Sequence, residues 1–114
     1  MSPKTRSRAP SGRRYAPIFA ALGDETRLSI VTVLSDGEPR SIARLTEGTP
    51  LTRQAVTKHL RVLEGAHIVR SIRVGRENLF ELDPAPIREV REYTEMVSAH
   101  WDRALERLRR MVEK

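Results

Sequence analysis

Residues 52–63 combine an apolar stripe with side chains that can hydrogen-bond to nucleic acid. The segment reads TRQAVTKHLRVL, and at helical periodicity Val56, Leu60 and Leu63 share one side, which predicts burial in a core. The opposite side carries Gln54, Thr57, Lys58 and Arg61. Amide, hydroxyl and cationic groups are the ones that contact base edges and phosphates in DNA grooves. The pattern predicts a helix that lies on DNA, and an ordinary amphipathic surface helix is the alternative.

Positive charge concentrates in the same part of the chain. The net charge is +6, and residues 40–76 carry eight Lys or Arg against two acids. Residues 15–39 and 77–114 are net acidic, by −3 and −2. A basic block between acidic flanks is typical of a nucleic-acid-binding surface rather than of a generally basic, solubilising one.

Length and composition restrict the class of protein. A chain of 114 residues with 39% hydrophobic and 4% aromatic residues suits one small, helix-rich domain with a single core. The absence of cysteine excludes disulfides and thiolate metal sites and fits a cytoplasmic protein. No apolar run approaches the roughly 18 residues of a membrane span, and no signal-peptide pattern is present, so no membrane association is expected. No phosphate loop or nucleophile–base arrangement is found, so no catalytic residue, no cofactor and no enzyme activity are expected.

The N-terminal third is predicted to contain a basic arm and two helices. Residues 1–14 carry five basic groups and no acids, which predicts a disordered arm followed by a folded domain over residues 15–114. A short helix over 15–22 precedes Gly23, and Asp24 caps a second helix over about 25–35. Apolar residues on several sides of that second helix predict a central place in the core.

Two helices joined by a short turn are predicted over residues 41–65. Ser41 begins the first helix, and Pro50 prevents its continuation because proline cannot extend the hydrogen-bond ladder. Thr52 is placed to cap the second helix, which runs to about Gly65. This is the helix-turn-helix arrangement.

Two short strands follow, over residues 69–74 and 78–82, and the glycine-containing connection between them predicts a β-hairpin. Arg70, Arg73 and Arg76 place cations along this hairpin. We expect a wing that touches DNA beside the helix, and a hairpin that only closes the core is the alternative.

The last segment predicts one long helix, over about residues 84–112, with an apolar seam. Asp83 and Pro84 are favourable at a helix start. Apolar positions recur at steps of three and four residues, as in a heptad repeat. About 28 helical residues span roughly 42 Å, more than one small domain covers, so part of the seam is expected to contact a second copy of the chain. The expected interface residues are Ile87, Val90, Val97, Trp101, Leu105 and Leu108.

The run from Phe19 to Pro84 resembles the ArsR-type winged-helix regulators of bacteria. Residues 19–34, FAALGDETRLSIVTVL, are similar to the opening segment of that family, and residues 54–63, QAVTKHLRVL, to its recognition helix. The resemblance implies a mainly α fold with a small β-hairpin, a winged helix-turn-helix with a long C-terminal dimerisation helix. It also implies a repressor that binds double-stranded DNA as a homodimer. The cysteine pair of metal-sensing members is missing, and His100 stands alone, so no metal site is expected.

These expectations assign a role to each candidate residue. Base edges of an inverted repeat should be contacted by Gln54, Thr57 and Lys58. Phosphates should be held by Ser41, Arg53, Arg61, Arg73 and Arg76. A protein of this kind is expected with the nucleoid, in the cytoplasm. Two alternatives keep the same fold: a switch controlled by a small-molecule or metal effector, and a winged-helix module that binds RNA or another protein. His59 is expected to be structural, and His67 stands where the family often has glycine.

Overall fold

The computed structural model describes residues 12–113, so the rest of the predicted basic arm, residues 1–11, lies outside the described part of the chain. The elements in chain order are α1 (Gly12–Leu22), α2 (Glu25–Leu34), β1 (Arg40–Ser41), α3 (Ile42–Thr46), α4 (Arg53–Gly65), β2 (Val69–Val74), β3 (Glu77–Leu82) and α5 (Pro84–Val112). The predicted mainly α fold with a hairpin and a long last helix is confirmed. It is a winged helix-turn-helix.

Helix α1 begins earlier than predicted. Residues 12–14, which the sequence placed in the basic arm, are the first three residues of α1. The guanidinium of Arg14 lies 5.5 Å from the ring centroid of Tyr15 and 3.7 Å from the carboxylate of Glu89 on α5. Tyr15 is buried, and its ring centroid lies 4.7 Å from that of Tyr93 on α5. These contacts attach the start of α1 to α5.

One apolar core lies between α2, α4 and the base of the hairpin. Its fully buried members are Leu34, Val56, Leu60, Leu63, Ile68 and Val69. Helix α2 contributes Ile30 and Leu34, but Leu28 and Val33 are 49% and 46% exposed. Helix α2 therefore lies in the core through Ile30 and Leu34, as predicted, while Leu28 and Val33 remain about half exposed.

The strands form a three-stranded antiparallel sheet in the order β1-β3-β2. The hairpin pairs Val69 with Leu82 at its base and Val74 with Glu77 at its tip. Strand β1 pairs Ser41 with Leu79. This two-residue strand is too short to give a periodic signal in the sequence. It ties the start of α3 to the middle of β3.

Helix α4 ends in a left-handed turn at His67, whose φ is +62°. The N–H of His67 donates to the carbonyl of Glu64 at 2.9 Å, and the N–H of Ile68 donates to the carbonyl of Leu63 at 2.9 Å. This pair of bonds is a Schellman cap. Leu63 and Ile68 both lie in the core, and the burial of these two side chains stabilises the cap. Glycine adopts this conformation without steric cost, which explains why the family that the sequence resembles often has glycine at this position.

Helix α5 continues beyond the core. Asp83 caps it, its carboxylate accepting from the N–H of Ala85 at 3.1 Å. The 29 residues of α5 span about 43 Å. The radius of gyration is 19.0 Å, against about 13 Å for a compact domain of this size, because the second half of α5 projects from the core. Within residues 12–113, no helix is both long and apolar enough to cross a bilayer.

Candidate nucleic-acid interface

Helix α4 is fixed by one side and leaves the other open to solvent. The hydroxyl oxygen of Thr52 accepts from the N–H of Ala55 at 3.1 Å, which caps the helix as predicted. Val56, Leu60 and Leu63 anchor the apolar stripe in the core, as predicted. The exposed side carries Arg53, Gln54, Lys58 and Arg61. The helix therefore presents an amide and three cations from a rigid support.

Thr57 and Ser41 are less open than these four side chains, because each hydroxyl already makes a local bond. Thr57 is half-buried, and its hydroxyl donates to the carbonyl of Arg53 at 2.7 Å. Its oxygen can still accept a hydrogen bond, and its methyl group can pack on a thymine methyl. Ser41 is half-buried and caps α3, with its hydroxyl oxygen accepting from the N–H of Arg44 at 3.2 Å. Its own O–H remains able to donate to a phosphate.

All three arginines of the hairpin are exposed, but only Arg73 and Arg76 lack a carboxylate partner within residues 12–113. Gly75, with φ +61°, forms the turn, and Arg73 and Arg76 are exposed on either side of it. Arg70 instead donates from Nε to the carboxylate of Glu81 on β3 at 2.8 Å. That hydrogen bond raises the pKa of Arg70 above its ordinary value. Arg70 therefore ties the two strands together, and the tip of the wing carries the available cations.

The cations without a partner concentrate on these two elements. Most other cations of the described chain make an ion pair or a hydrogen bond, for example Arg40 with Asp36 and Arg91 with Glu95. Within residues 12–113, the side chains of Arg53, Lys58, Arg61, Arg73 and Arg76 make neither. Outside α4 and the wing tip, Arg88 and Arg107 share this property. An arginine or lysine held without a carboxylate is open to a phosphate, so the arrangement suits a polyanion.

Behind α4 lies a small polar network of Asp24, Arg27 and His59, and the sequence did not predict that these three residues would meet. Asp24 caps α2, its carboxylate accepting from the N–H of Arg27 at 3.1 Å, and this bond lowers the pKa of Asp24. Arg27 donates from Nε to the carbonyl of Ala21 at 2.6 Å and contacts Nδ1 of His59 at 3.2 Å. His59 is partly buried, as its predicted structural role requires. The sequence offered one signal, an acid at a helix cap three residues before a cation.

The outer half of α5 exposes an apolar face. Ile87 and Val90 pack against the core of their own chain. Farther along, Trp101 is 62% exposed, and Leu105 and Leu108 are more than half exposed. Large apolar side chains aligned on one helix face mark an interaction surface. The seam predicted for a second copy thus divides into a part covered by the chain itself and a part that is open.

No group of three or more His, Asp or Glu side chains in the described residues is arranged to hold a metal ion. On α5, Nδ1 of His100 lies 3.3 Å from a guanidinium nitrogen of Arg103. A cation in that position disfavours a metal ion at the same ring nitrogen.

Comparison with known proteins gives consistent matches. Residues 22–72 match a helix-turn-helix domain family. The HTH-type transcriptional regulator Rv2034 of Mycobacterium tuberculosis is 36% identical over 87 residues, which cover 76% of this chain and 78% of that protein. The uncharacterized HTH-type transcriptional regulator YuzN of Bacillus subtilis is 37% identical over 79 residues, covering 64% of this chain and 86% of that protein.

Solved structures show the same fold. An ArsR-like transcriptional regulator from Rhodococcus sp. RHA1 superposes with a TM-score of 0.74 at 35% identity, covering 87% of this chain and 92% of that one. The homodimeric winged helix-turn-helix DNA-binding domain of Mb0332 from Mycobacterium bovis, a possible ArsR-family regulator, gives a TM-score of 0.59 at 20% identity over 82% of this chain and 83% of that one.

Proposed function

This chain belongs to the ArsR-like helix-turn-helix transcriptional regulators, and we propose that it is a dimeric, non-enzymatic repressor that reads an inverted repeat through α4. DNA binding is the activity of the family. The observation that supports our assignment of the contact surface is the set of cations without partners on α4 and the wing tip. Exposed cations on α4 and the wing tip, together with an exposed amide on α4, provide both phosphate attraction and a means of base recognition.

We assign base readout to three residues of α4. Gln54 can bind adenine through two hydrogen bonds, and Lys58 can donate to guanine. Thr57 is suited to accept from a base amino group or to contact a thymine methyl, since its hydroxyl hydrogen is bonded to the Arg53 carbonyl. Phosphate contacts are assigned to Arg53 and Arg61 on α4, to Arg73 and Arg76 on the wing, and to Ser41 at the start of α3.

We assign dimerisation to the open part of the α5 seam. Val97, Trp101, Leu105 and Leu108 would contact the second copy, and Ile87 and Val90 would lie where the seam joins the core. The homodimeric state of the Mb0332 domain, which shares the fold, is consistent with this assignment. Two copies could then place two α4 helices in successive major grooves, about 34 Å apart. Such a protein would act at the nucleoid, in the cytoplasm.

Selection of bound duplexes from a random DNA pool tests this function. We expect enrichment of an inverted repeat whose half-sites are about one helical turn apart. A reporter gene placed behind the selected sequence should be silenced when the protein is expressed. An enriched single half-site would contradict dimeric readout, and increased reporter expression would contradict repression.

A further inference from the structure

A cavity of about 360 Å³ lies between α2 and the turn that joins α3 to α4. Its floor is formed by Ile30, Leu45 and Val56, all core residues, and its walls include Val33 and Leu51. The volume falls in the range of small-molecule sites, which are mainly apolar with a few placed polar groups. Val33 lines this cavity, which accounts for its 46% exposure within the described residues.

Two hydroxyl groups of α2 line the same cavity without a hydrogen bond. Most threonine side chains in the helices fold back on the carbonyl four residues earlier, as those of Thr32, Thr46 and Thr94 do. Thr26 and Ser29 make no side-chain hydrogen bond within residues 12–113. Both hydroxyls are therefore able to donate to a molecule in the cavity.

Of the two arginines at the rim, one is available. Arg40 is held by two bonds to the carboxylate of Asp36, at 2.7 and 3.0 Å, and also donates to two backbone carbonyls. The Nε of Arg44 lies 3.6 Å from the carboxylate of Glu47, beyond hydrogen-bond distance, and their side chains are 68% and 72% exposed. So exposed a pair is weak and easily exchanged for another anion.

We propose that this cavity binds a small monocarboxylic acid with an apolar tail. The tail would lie on Ile30 and Val56, and the carboxylate would accept from Ser29 and Arg44. A ligand in the cavity would contact Leu51, two residues before α4, and Val56 within α4, and so change the placement of α4 relative to DNA. This second step rests on the proposed DNA-binding function, whereas ligand binding itself does not.

Titration of the ¹⁵N-labelled protein with hexanoate and with its neutral counterpart hexanamide tests the site. Hexanoate should shift the amide resonances of Ser29, Gly48 and Leu51, and hexanamide should bind about threefold to fivefold more weakly because it lacks the charge that the exposed Arg44 pairs with. Arg44→Gln should remove this preference. Val33→Trp should fill the cavity and abolish binding of both compounds while the protein stays folded. Arg88→Gln, at an exposed arginine of α5, is the matched control and should bind both compounds as the wild type does.

The site would be overturned if hexanoate shifted no amide resonances or shifted only those on the exposed face of α5 around Trp101. It would also be overturned if Arg44→Gln kept the preference for hexanoate over hexanamide. The effect on α4 is read separately, as the affinity for the selected duplex with and without hexanoate, and we expect a several-fold change. An unchanged affinity with hexanoate bound would overturn the coupling alone. The proposed function fails only if the protein does not bind a specific duplex in the absence of hexanoate.

Discussion

Arg27 at the start of α2 and His59 on α4 are joined by a hydrogen bond, with Nη1 of Arg27 3.2 Å from Nδ1 of His59. A guanidinium can only donate, so Nδ1 of His59 is the acceptor in this hydrogen bond. The same guanidinium donates from Nε to the carbonyl of Ala21 at the end of α1. One side chain of α2 therefore links α4 to α2 and to the end of α1.

Replacement of Arg27 by methionine should destabilise the fold and weaken DNA binding. We expect a loss of about 1.5–3 kcal/mol in the free energy of unfolding, because the Ala21 carbonyl and His59 lose a charged donor. Urea denaturation measures the loss, and fluorescence anisotropy with the selected duplex measures the affinity. Arg88→Met, at an exposed arginine without a partner in the described chain, should change neither quantity. Equal effects of the two substitutions would refute the linking role of Arg27.

Gln54 and Arg76 should differ in the kind of affinity they provide. Gln54→Ala should cost about 1–3 kcal/mol on the preferred duplex and relax base preference at one position, because a base contact is lost. Arg76→Ala should weaken all duplexes alike and reduce the slope of log affinity against log salt by about 1, because one phosphate contact is lost. Binding isotherms on a panel of single-base variants at several salt concentrations separate the two. Base-selective loss from Arg76→Ala, with uniform loss from Gln54→Ala, would overturn both assignments.

Leu105→Glu should convert the proposed dimer into a monomer. The carboxylate would be placed in the apolar interface without a partner, while the folded protomer tolerates it because Leu105 is more than half exposed. Sedimentation equilibrium reports the mass, and loss of the second binding module should weaken binding to the inverted repeat about 10²-fold. Glu92→Lys, an exposed position on the opposite face of α5, should remain dimeric. A Leu105→Glu protein that still sediments as a dimer would place the interface elsewhere.

His67→Gly should stabilise the protein. The left-handed conformation of His67 costs about 1 kcal/mol for a residue with a side chain, and glycine removes most of that cost. Thermal unfolding should shift upward by a few degrees. Gly37→Ala is the matched reverse test, since Gly37 has φ +86° and free space around its Cα, and it should destabilise by a similar amount. A decrease in melting temperature for His67→Gly would indicate that the imidazole makes a contribution of its own.

Asp36 should make the fold sensitive to acid. Hydrogen bonds from the Arg40 guanidinium, and then from the N–H of Glu38, lower the pKa of Asp36 from 3.8 to about 2. Since the folded pKa lies below the ordinary value, the stabilisation is complete above pH 3.8 and is lost as the pH falls towards 2. Carboxyl NMR titration measures the pKa directly. The free energies of unfolding of Asp36→Asn and of the wild type should differ above pH 4 and become equal near pH 2. A difference that does not change with pH would contradict the assignment.

The main elements could be predicted from the sequence because their signals are local. The apolar stripe of α4, the cap at Thr52 and the long seam of α5 each lie within one segment, and the structure confirms them. The roles of Arg40 and Arg70 could not be predicted, since they depend on Asp36 across a turn and on Glu81 across a strand pair. The sequence around an arginine does not show whether the fold will bring a carboxylate within hydrogen-bond distance of it.

The exposure of one side of α2 is a second feature that local sequence could not predict. Its composition predicts a central place in the core, and Ile30 and Leu34 are buried there, but Leu28 and Val33 are about half exposed. Periodicity identifies which residues are apolar, whereas the space around them is set by how far α3 and its turn lie from α2. The cavity beside Val33 arises from that distance and has no counterpart in any short segment of sequence.

The uninterrupted course of α5 has a consequence for how such a regulator could change its target during evolution. Residues of one uninterrupted helix keep a fixed rotational phase, so Ile87 in the core and Trp101 on the open face are related by helix geometry rather than by a linker. One residue inserted between them would turn the open face by about 100° and advance it by about 1.5 Å. In the proposed dimer, the length and rotational phase of α5 would set the separation of the two α4 helices. A single codon gained or lost there would reset the distance between half-sites, while every residue that reads DNA stayed the same.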